Sequence, residues 1–370
     1  MILMTPGPTP VPEFVRIAMA TPSLHHRTPE FEAIFAQTRE LLIELFGLDD
    51  ALMLACSGTG AMEACVTNLC TKKALTINSG KFGERFGKIA KAYNIPSIEL
   101  KYDWDTPASV EDVKNTLTEN PDIDILCIQI CESAGGLRHP VEAIAAAAKE
   151  INPEILVIAD GITAVGVEKI DVANIDALIT GSQKALMLPP GLAMIGLSMA
   201  AIERLKINAK GYYFNLYTEL KKQRENTTAW TAATTLTIGL LEVLKEIKKI
   251  GFEKLYSDTA IRADASREAM KALGLSIYPK TPADSMTTVF SDNSNAIRKI
   301  MKNKYQINIA GGQDHLSGKI FRINHMGLVS EYEAAWAVNA VELALDDLGI
   351  RKFDGMANKV FLSYMFSKNG

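Results

Sequence analysis

Two neighbouring runs decide the fold: Ile155-Leu156-Val157-Ile158-Ala159-Asp160 and Asp176-Ala177-Leu178-Ile179-Thr180-Gly181-Ser182-Gln183-Lys184-Ala185. Both are apolar at successive positions rather than at alternate ones, the pattern of strands covered on both faces in a mainly parallel sheet. Each leads to one ionisable side chain, Asp160 or Lys184, at the end where the chain leaves the sheet.

Outward from this pair the same text repeats. Leu52-Met53-Leu54-Ala55, Lys73 to Asn78, Ser97 to Leu100, Ile123 to Ile130 and Gly191 to Leu197 are further candidate strands. Gly60 to Leu69, Phe82 to Ala92, Ser109 to Leu117 and Val141 to Glu150 read as helices between them, and Glu30 to Phe46 as an amphipathic helix that Gly47 stops. The alternation predicts an α/β fold whose large domain has a mainly parallel, mostly seven-stranded sheet covered by helices. A long helix from Thr231 to Lys248 breaks at Gly251. Helices at Leu255 to Leu273 and Glu331 to Leu348 then bracket strands at Met286 to Phe290 and Lys319 to Asn324, which predicts a smaller C-terminal α/β domain. The opening Thr5-Pro6-Gly7-Pro8-Thr9-Pro10-Val11-Pro12 has too many prolines for a helix or central strand and is expected to run as an extended arm over the surface. The expected division is an arm at 1–16, a large domain at 17–250 and a small domain at 251–370.

Composition narrows the function classes. A chain of 370 residues, 48% hydrophobic and 22% charged, is an ordinary packed protein that needs no disulfide or metal to fold. Its 39 basic and 43 acidic residues leave a net charge of −4. The densest basic stretch, Lys245 to Lys254, is interleaved with Glu246 and Glu253, so no nucleic-acid partner is expected. No uncharged apolar stretch reaches about 18 residues, and Met1 to Pro12 lacks the features of an export signal, so no membrane partner is expected. Five cysteines in mostly apolar text read as buried thiols in a reducing compartment, the cytoplasm. His139, His315 and His325 are isolated, and no metal site is expected.

Three segments carry chemistry. Cys56-Ser57-Gly58-Thr59-Gly60 follows a buried strand and opens a helix, so backbone N–H groups and two hydroxyls converge where an anion is favoured. A purely structural glycine turn would look the same. The dinucleotide fingerprint fails at Glu63, and the nucleotide P-loop fails because Gly80-Lys81 and Gly318-Lys319 precede Phe82 and Ile320. Asp160 stands where open α/β sheets place ligands and, buried, needs a cationic partner, although a cap on the turn after it would also use an acid. Lys184 is hemmed between small residues and Pro189-Pro190-Gly191; enclosure lowers an ammonium pKa and frees the amine as a nucleophile, unless the side chain snorkels to water. A phosphate nest, a buried carboxylate and an enclosed lysine together match pyridoxal 5′-phosphate, with its phosphate, pyridine nitrogen and aldehyde.

With these segments in place the sequence resembles the fold-type I, class V aminotransferases, and within them the alanine–glyoxylate and serine–pyruvate group. The resemblance is carried by Pro6-Gly7-Pro8-Thr9, Ser57-Gly58-Thr59-Gly60 with Glu63, Asn78 to Gly83, Glu132-Ser133 with Gly136, Asp160, Gly181-Ser182-Gln183-Lys184-Ala185 with Pro189-Pro190-Gly191, and Gly311-Gly312 to Lys319 with Arg322 and Gly327. It implies an aspartate-aminotransferase-like fold and a homodimer that moves an amino group from alanine or serine to glyoxylate or pyruvate. By the same resemblance, Lys184 holds the cofactor as an imine and moves the substrate proton, and Asp160 pairs with the ring nitrogen. It also implies that Phe82 stacks on the ring, where many relatives have tryptophan, that Ser57, Gly58, Thr59 and Gln183 bind phosphate, and that Ser133 touches the ring. Arg322 takes the substrate carboxylate. The family supplies a tyrosine and a threonine across the dimer; Glu225 to Thr231 offers Thr228 without the tyrosine. His25-His26-Arg27 is either a surface turn or part of the site mouth. The fold also serves lyases and transaminases with other substrates. A desulfurase is disfavoured because no cysteine follows Cys131 and Gln183 replaces the histidine common before that lysine.

Overall fold

Aliphatic and β-branched runs become strands here because helices cover both faces of the sheet that they form. In chain order the strands are β1 (Ile2–Met4), β2 (Asp50–Leu54), β3 (Lys73–Asn78), β4 (Ser97–Lys101), β5 (Ile123–Gln129), β6 (Cys131–Glu132), β7 (Leu137–Arg138), β8 (Leu156–Asp160), β9 (Ala177–Gly181), β10 (Ala193–Leu197), β11 (Ser276–Ile277), β12 (Met286–Phe290), β13 (Ile307–Gly311) and β14 (Ile320–Asn324). The structure is a computed structural model and describes residues 1–368.

Seven strands form one sheet in the order β2-β10-β9-β8-β5-β3-β4. Strands β4, β3, β5, β8 and β9 run parallel, and β10 lies antiparallel to both β9 and β2. The predicted mainly parallel seven-stranded sheet is the one that forms. Strand β8 shows why its text is apolar throughout: Val157 and Ala159 enter one core with Phe31, Leu42 and Leu240, while Leu156 and Ile158 enter the other with Met62 and Phe86. Only edge strand β4 alternates, with Glu99 and Lys101 on its water-facing positions.

A second sheet, β1-β13-β14-β12-β11, packs Phe321, Ile323 and Val289 against Met270, Ile297 and Val338 from the helices Phe252–Ala272, Ser294–Asn303 and Glu331–Asp347.

The N-terminal segment departs from expectation. Ile2–Met4 pair in parallel with Ile307–Ile309 as an edge strand of the second sheet, and helix Glu13–Met19 starts inside the stretch read as extended arm. Between them Pro6 and Thr9 are buried, so the segment does not simply run over the surface. Three apolar residues ahead of the prolines are enough to add a strand, and Pro12 serves as the N-cap of the helix that follows.

Candidate active site

The site lies at the carboxyl ends of the parallel strands, where the open sheet leaves a crevice. Strand β8 delivers Asp160 there, 5% exposed, with Oδ1 accepting the Ile162 N–H at 2.9 Å. Burial pushes its carboxyl up to about 6; that N–H and then the cations of Arg85 and Lys184 work against the rise.

Strand β9 runs into the loop that carries Lys184. Ser182 pins this loop by donating to Pro189 O at 2.8 Å and accepting the Leu192 N–H at 3.2 Å. The enclosed Lys184 amine donates to Pro6 O at 2.6 Å. Burial, and next the nearby Arg322 cation, bring its ammonium down to about 8, while Asp160 opposes them. Lys184 thus lies within electrostatic reach of both Asp160 and Arg322.

Strand β2 leads to the anion cradle. Ser57 is the N-cap of helix Gly58–Leu69, yet its side chain makes no capping bond, which leaves the hydroxyl free at a helix N-terminus. A Cβ at Gly58 would lie 2.3 Å from Ile162 Cδ1, so any larger residue there would push the Ile162 side chain aside. Thr59 Oγ1 accepts from Arg85 Nη1 at 2.7 Å, and the same guanidinium lies 4.5 Å from the centroid of the Phe82 ring. Gln183 borders the cradle's lysine loop with its Oε1 buried and unpartnered.

Glu132 ties Phe82 in place. Its Oε2 accepts the N–H groups of Phe82 and Gly83 at 2.9 and 2.8 Å, and its Oε1 that of Ala134 at 3.0 Å. Burial lifts this carboxyl to about 7 against those three donors. Next to it, Ser133 contributes its carbonyl, which accepts from Arg322 Nη1. Arg322 projects from β14, 8% exposed, with Nε and Nη2 both on Gly311 O at 3.1 and 2.7 Å. No carboxylate is hydrogen-bonded to it among the described residues, and burial brings its guanidinium down to about 10.

Arg85 and Glu132 are the side chains that sequence reading left without a role. Arg85 sits in an amphipathic helix, Gly83–Ala92, where an arginine reads as solvent-facing, and Glu132 was visible only as part of a motif. Thr228 is not brought to this group within the chain. Its hydroxyl donates to Trp230 O, and it lines a separate cavity with Met53, Ala55 and Tyr213. His25 and His26 stack on each other with ring centroids 4.8 Å apart, and Arg27 N–H donates to His25 Nδ1, a local surface turn.

The residues present fit pyridoxal 5′-phosphate: an enclosed amine, a buried carboxylate held by a single N–H, and an unengaged hydroxyl at a helix N-terminus beside it. All five cysteines are free, no cluster of metal-binding side chains occurs among the described residues, and no helix is long and apolar enough to cross a membrane.

Comparison with known proteins gives the same direction. Residues 13–327 match the family described as Aminotransferase class-V. An uncharacterized aminotransferase of Helicobacter pylori is 52% identical over 99% of this chain and 100% of its own length. The serine–glyoxylate aminotransferase of Methylorubrum extorquens is 27% identical, covering 98% of this chain and 95% of its own. Among solved structures, an aspartate aminotransferase of subgroup IV from Thermus thermophilus superposes with a TM-score of 0.88 at 33% identity, covering 94% of this chain and 99% of that one.

Proposed function

The chain belongs to the class-V aminotransferases, which are pyridoxal-phosphate enzymes, and from that premise we propose that it moves an amino group from a small L-amino acid, alanine or serine, to a small 2-oxo acid, glyoxylate or pyruvate. One observation carries the reading: Arg322 is buried, has no hydrogen-bonded carboxylate among the described residues, and lies within electrostatic reach of the Lys184 amine. Donor and acceptor in such a reaction share a carboxylate, and a planar guanidinium fork can bind it in both halves.

When bound, pyridoxal 5′-phosphate supplies an aldehyde that the amine can join and a ring that draws electrons from the substrate Cα. Lys184, with an amine held near 8, keeps enough neutral form at physiological pH to act as nucleophile and to move the proton at Cα. Asp160 would hold the positive charge of the ring nitrogen. The Ser57 hydroxyl and the N–H groups of Gly58 and Thr59 would receive the phosphate, with Gln183 assisting, and Phe82 and Ser133 would hold the ring.

Further parts of the reading rest on location. A large domain at 17–250 and a small domain at 251–370 are supported by the separate cores of the two sheets, while the segment called an arm at 1–16 is shared out, Met4 joining the small domain's core and Val15 the large domain's; the last two residues lie outside those described. The active form is a homodimer in the cytoplasm. Thr228 is buried and gives its hydroxyl to the carbonyl of Trp230, whose ring packs with Tyr212, 80% exposed, and the half-exposed Tyr213, an aromatic face that suits a second copy whose cradle Thr228 would serve across the interface. Free thiols suit a reducing compartment.

A second reading, an aspartate donor, is favoured by one observation. Arg298 reaches Gly311 and, among the described residues, has Asn295 Oδ1 and Ile309 O as its hydrogen-bond partners, a second guanidinium without a bonded carboxylate whose charge reaches Arg322. The named aspartate aminotransferase structure agrees with it. A screen of purified protein against alanine, serine and aspartate with glyoxylate and pyruvate tests both. Turnover confined to bulky donors overturns both readings.

A further inference from the structure

The N-terminal segment is fastened at two distant places. Its strand β1 pairs along β13 in the five-stranded sheet, and five residues past that strand Thr9 grips the lysine loop, donating N–H to Gln183 O at 3.1 Å and its hydroxyl to Lys184 O at 2.7 Å. Between the two anchors Pro6 turns its carbonyl onto the Lys184 amine. It is the one hydrogen-bond partner of that amine among the described residues, since Lys184 enters no ion pair.

Gly7 makes the approach feasible. Its φ is +108°, a conformation that suits glycine, and a Cβ there would lie 2.3 Å from Lys184 Nζ, 2.6 Å from Cδ and 2.7 Å from Cε. The outer half of the lysine therefore occupies the space that any side chain at position 7 would fill. Pro6 and Pro8 carry no N–H, so no backbone donor from either competes with the ammonium for room.

We propose that the Pro6–Gly7 turn is the berth of the Lys184 amine whenever that amine is not bonded to cofactor, and that it positions the amine for proton transfer at the substrate Cα. The inference rests on Lys184 being the cofactor lysine. An amine released where it is largely shielded from water needs an acceptor; without one it is drawn to Asp160, whose charge the ring nitrogen requires. The Pro6 carbonyl supplies that acceptor on the side of the arm. Because β1 pairs with β13 and β13 with β14, the sheet that positions this carbonyl also carries Arg322. Carboxylate binding and lysine placement thus share one support.

The test is a double-mutant cycle on cofactor-free protein, with Gly7→Ala made in the natural background and in Lys184→Ala. If the lysine fills the space at position 7, Gly7→Ala lowers Tm by roughly 2–4 °C more when Lys184 is present than when it is alanine. Equal losses in the two backgrounds mean that Gly7 serves only the backbone turn, and overturn the inference. Labelling of Lys184 by pyridoxal 5′-phosphate and borohydride, followed by peptide mapping, supplies the second readout. Gly7→Ala should slow it on the order of tenfold. Thr9→Val, which leaves the backbone of the turn unstrained and removes the hydroxyl bond to Lys184 O, should also slow it. An unchanged labelling rate in both variants overturns the berth. Label on Lys184 with equal Tm losses defeats the berth alone, whereas label on a different lysine defeats the role of Lys184 and the berth with it.

Discussion

Glu132 accepts the backbone N–H of Phe82 at 2.9 Å, and through this bond a buried carboxylate holds the residue whose ring the Arg85 guanidinium covers. The same carboxylate takes the N–H groups of Gly83 and Ala134, so two loops and the start of a helix hang on one side chain.

Glu132→Ala leaves three backbone donors without an acceptor, those of Gly83 and Ala134 buried and that of Phe82 part-buried. Each unsatisfied donor costs about 1–3 kcal/mol, so Tm should fall sharply. Glu132→Gln makes a finer test. Burial raises the carboxyl from its ordinary 4.5 to about 7, so the folded protein holds that proton more tightly than the unfolded chain. The stabilisation from that proton is full below pH 4.5 and is lost as the pH rises through 7. Glutamine cannot titrate, and the fall of Tm with pH across this window should flatten. An unaltered slope would show that Glu132 does not titrate there.

Arg85 bonds Thr59 in the anion cradle and covers Phe82, so it joins the phosphate end of the site to the ring end. Lysine keeps the charge but not the planar fork that serves both partners. A hydrogen bond to a charged group is worth about 1.5–3 kcal/mol. Arg85→Lys should therefore weaken cofactor affinity by roughly tenfold or more, read by absorbance titration of the stripped protein. Unchanged affinity would confine Arg85 to holding its own helix.

The amine of Lys184 sits near 8 because burial comes first and the Arg322 cation second. Cofactor loading needs the neutral amine, so its rate should climb with pH around a midpoint near 8 rather than near 10.5. Removing the neighbouring cation stabilises the ammonium. In Arg322→Gln the midpoint should move to higher pH, and a midpoint that stays put would separate the two side chains electrostatically.

Legibility of these parts in the sequence follows the range of the contacts behind them. Strands β5, β8 and β9 were readable because burial on both faces writes a continuous apolar run. Asp160 and Lys184 stand at the ends of such runs, so their setting is local. Strand β13 was not readable: Ile307-Asn308-Ile309-Ala310-Gly311 is short, mixes in a polar residue and ends on glycine. The ties from Glu132 to Phe82 and from Arg85 to Thr59 join residues 50 and 26 positions apart, and no periodicity signals them. The contact of Pro6 with Lys184 spans 178 positions and uses a carbonyl that every residue has. Sequence reading therefore sent the arm to the surface.

Arg322 supplies the most direct test of the proposed chemistry. Strand alternation placed it opposite Phe321 and Ile323, and the structure puts those two in the core while the guanidinium crosses to Ser133 O beyond the second sheet. Its two bonds to Gly311 O and the one to Ser133 O hold the fork, so a substrate carboxylate meets a group that is already ordered. Losing a bond of about 1.5–3 kcal/mol to a charged partner should cut kcat/KM by at least about tenfold in Arg322→Ala. The loss should fall on amino donor and oxo acceptor alike, because both present the same carboxylate. Cofactor absorbance should remain, since Lys184 and Asp160 are untouched. If both efficiencies stay unchanged while the cofactor remains bound, another group binds the carboxylate, and Arg298 becomes the residue to substitute next.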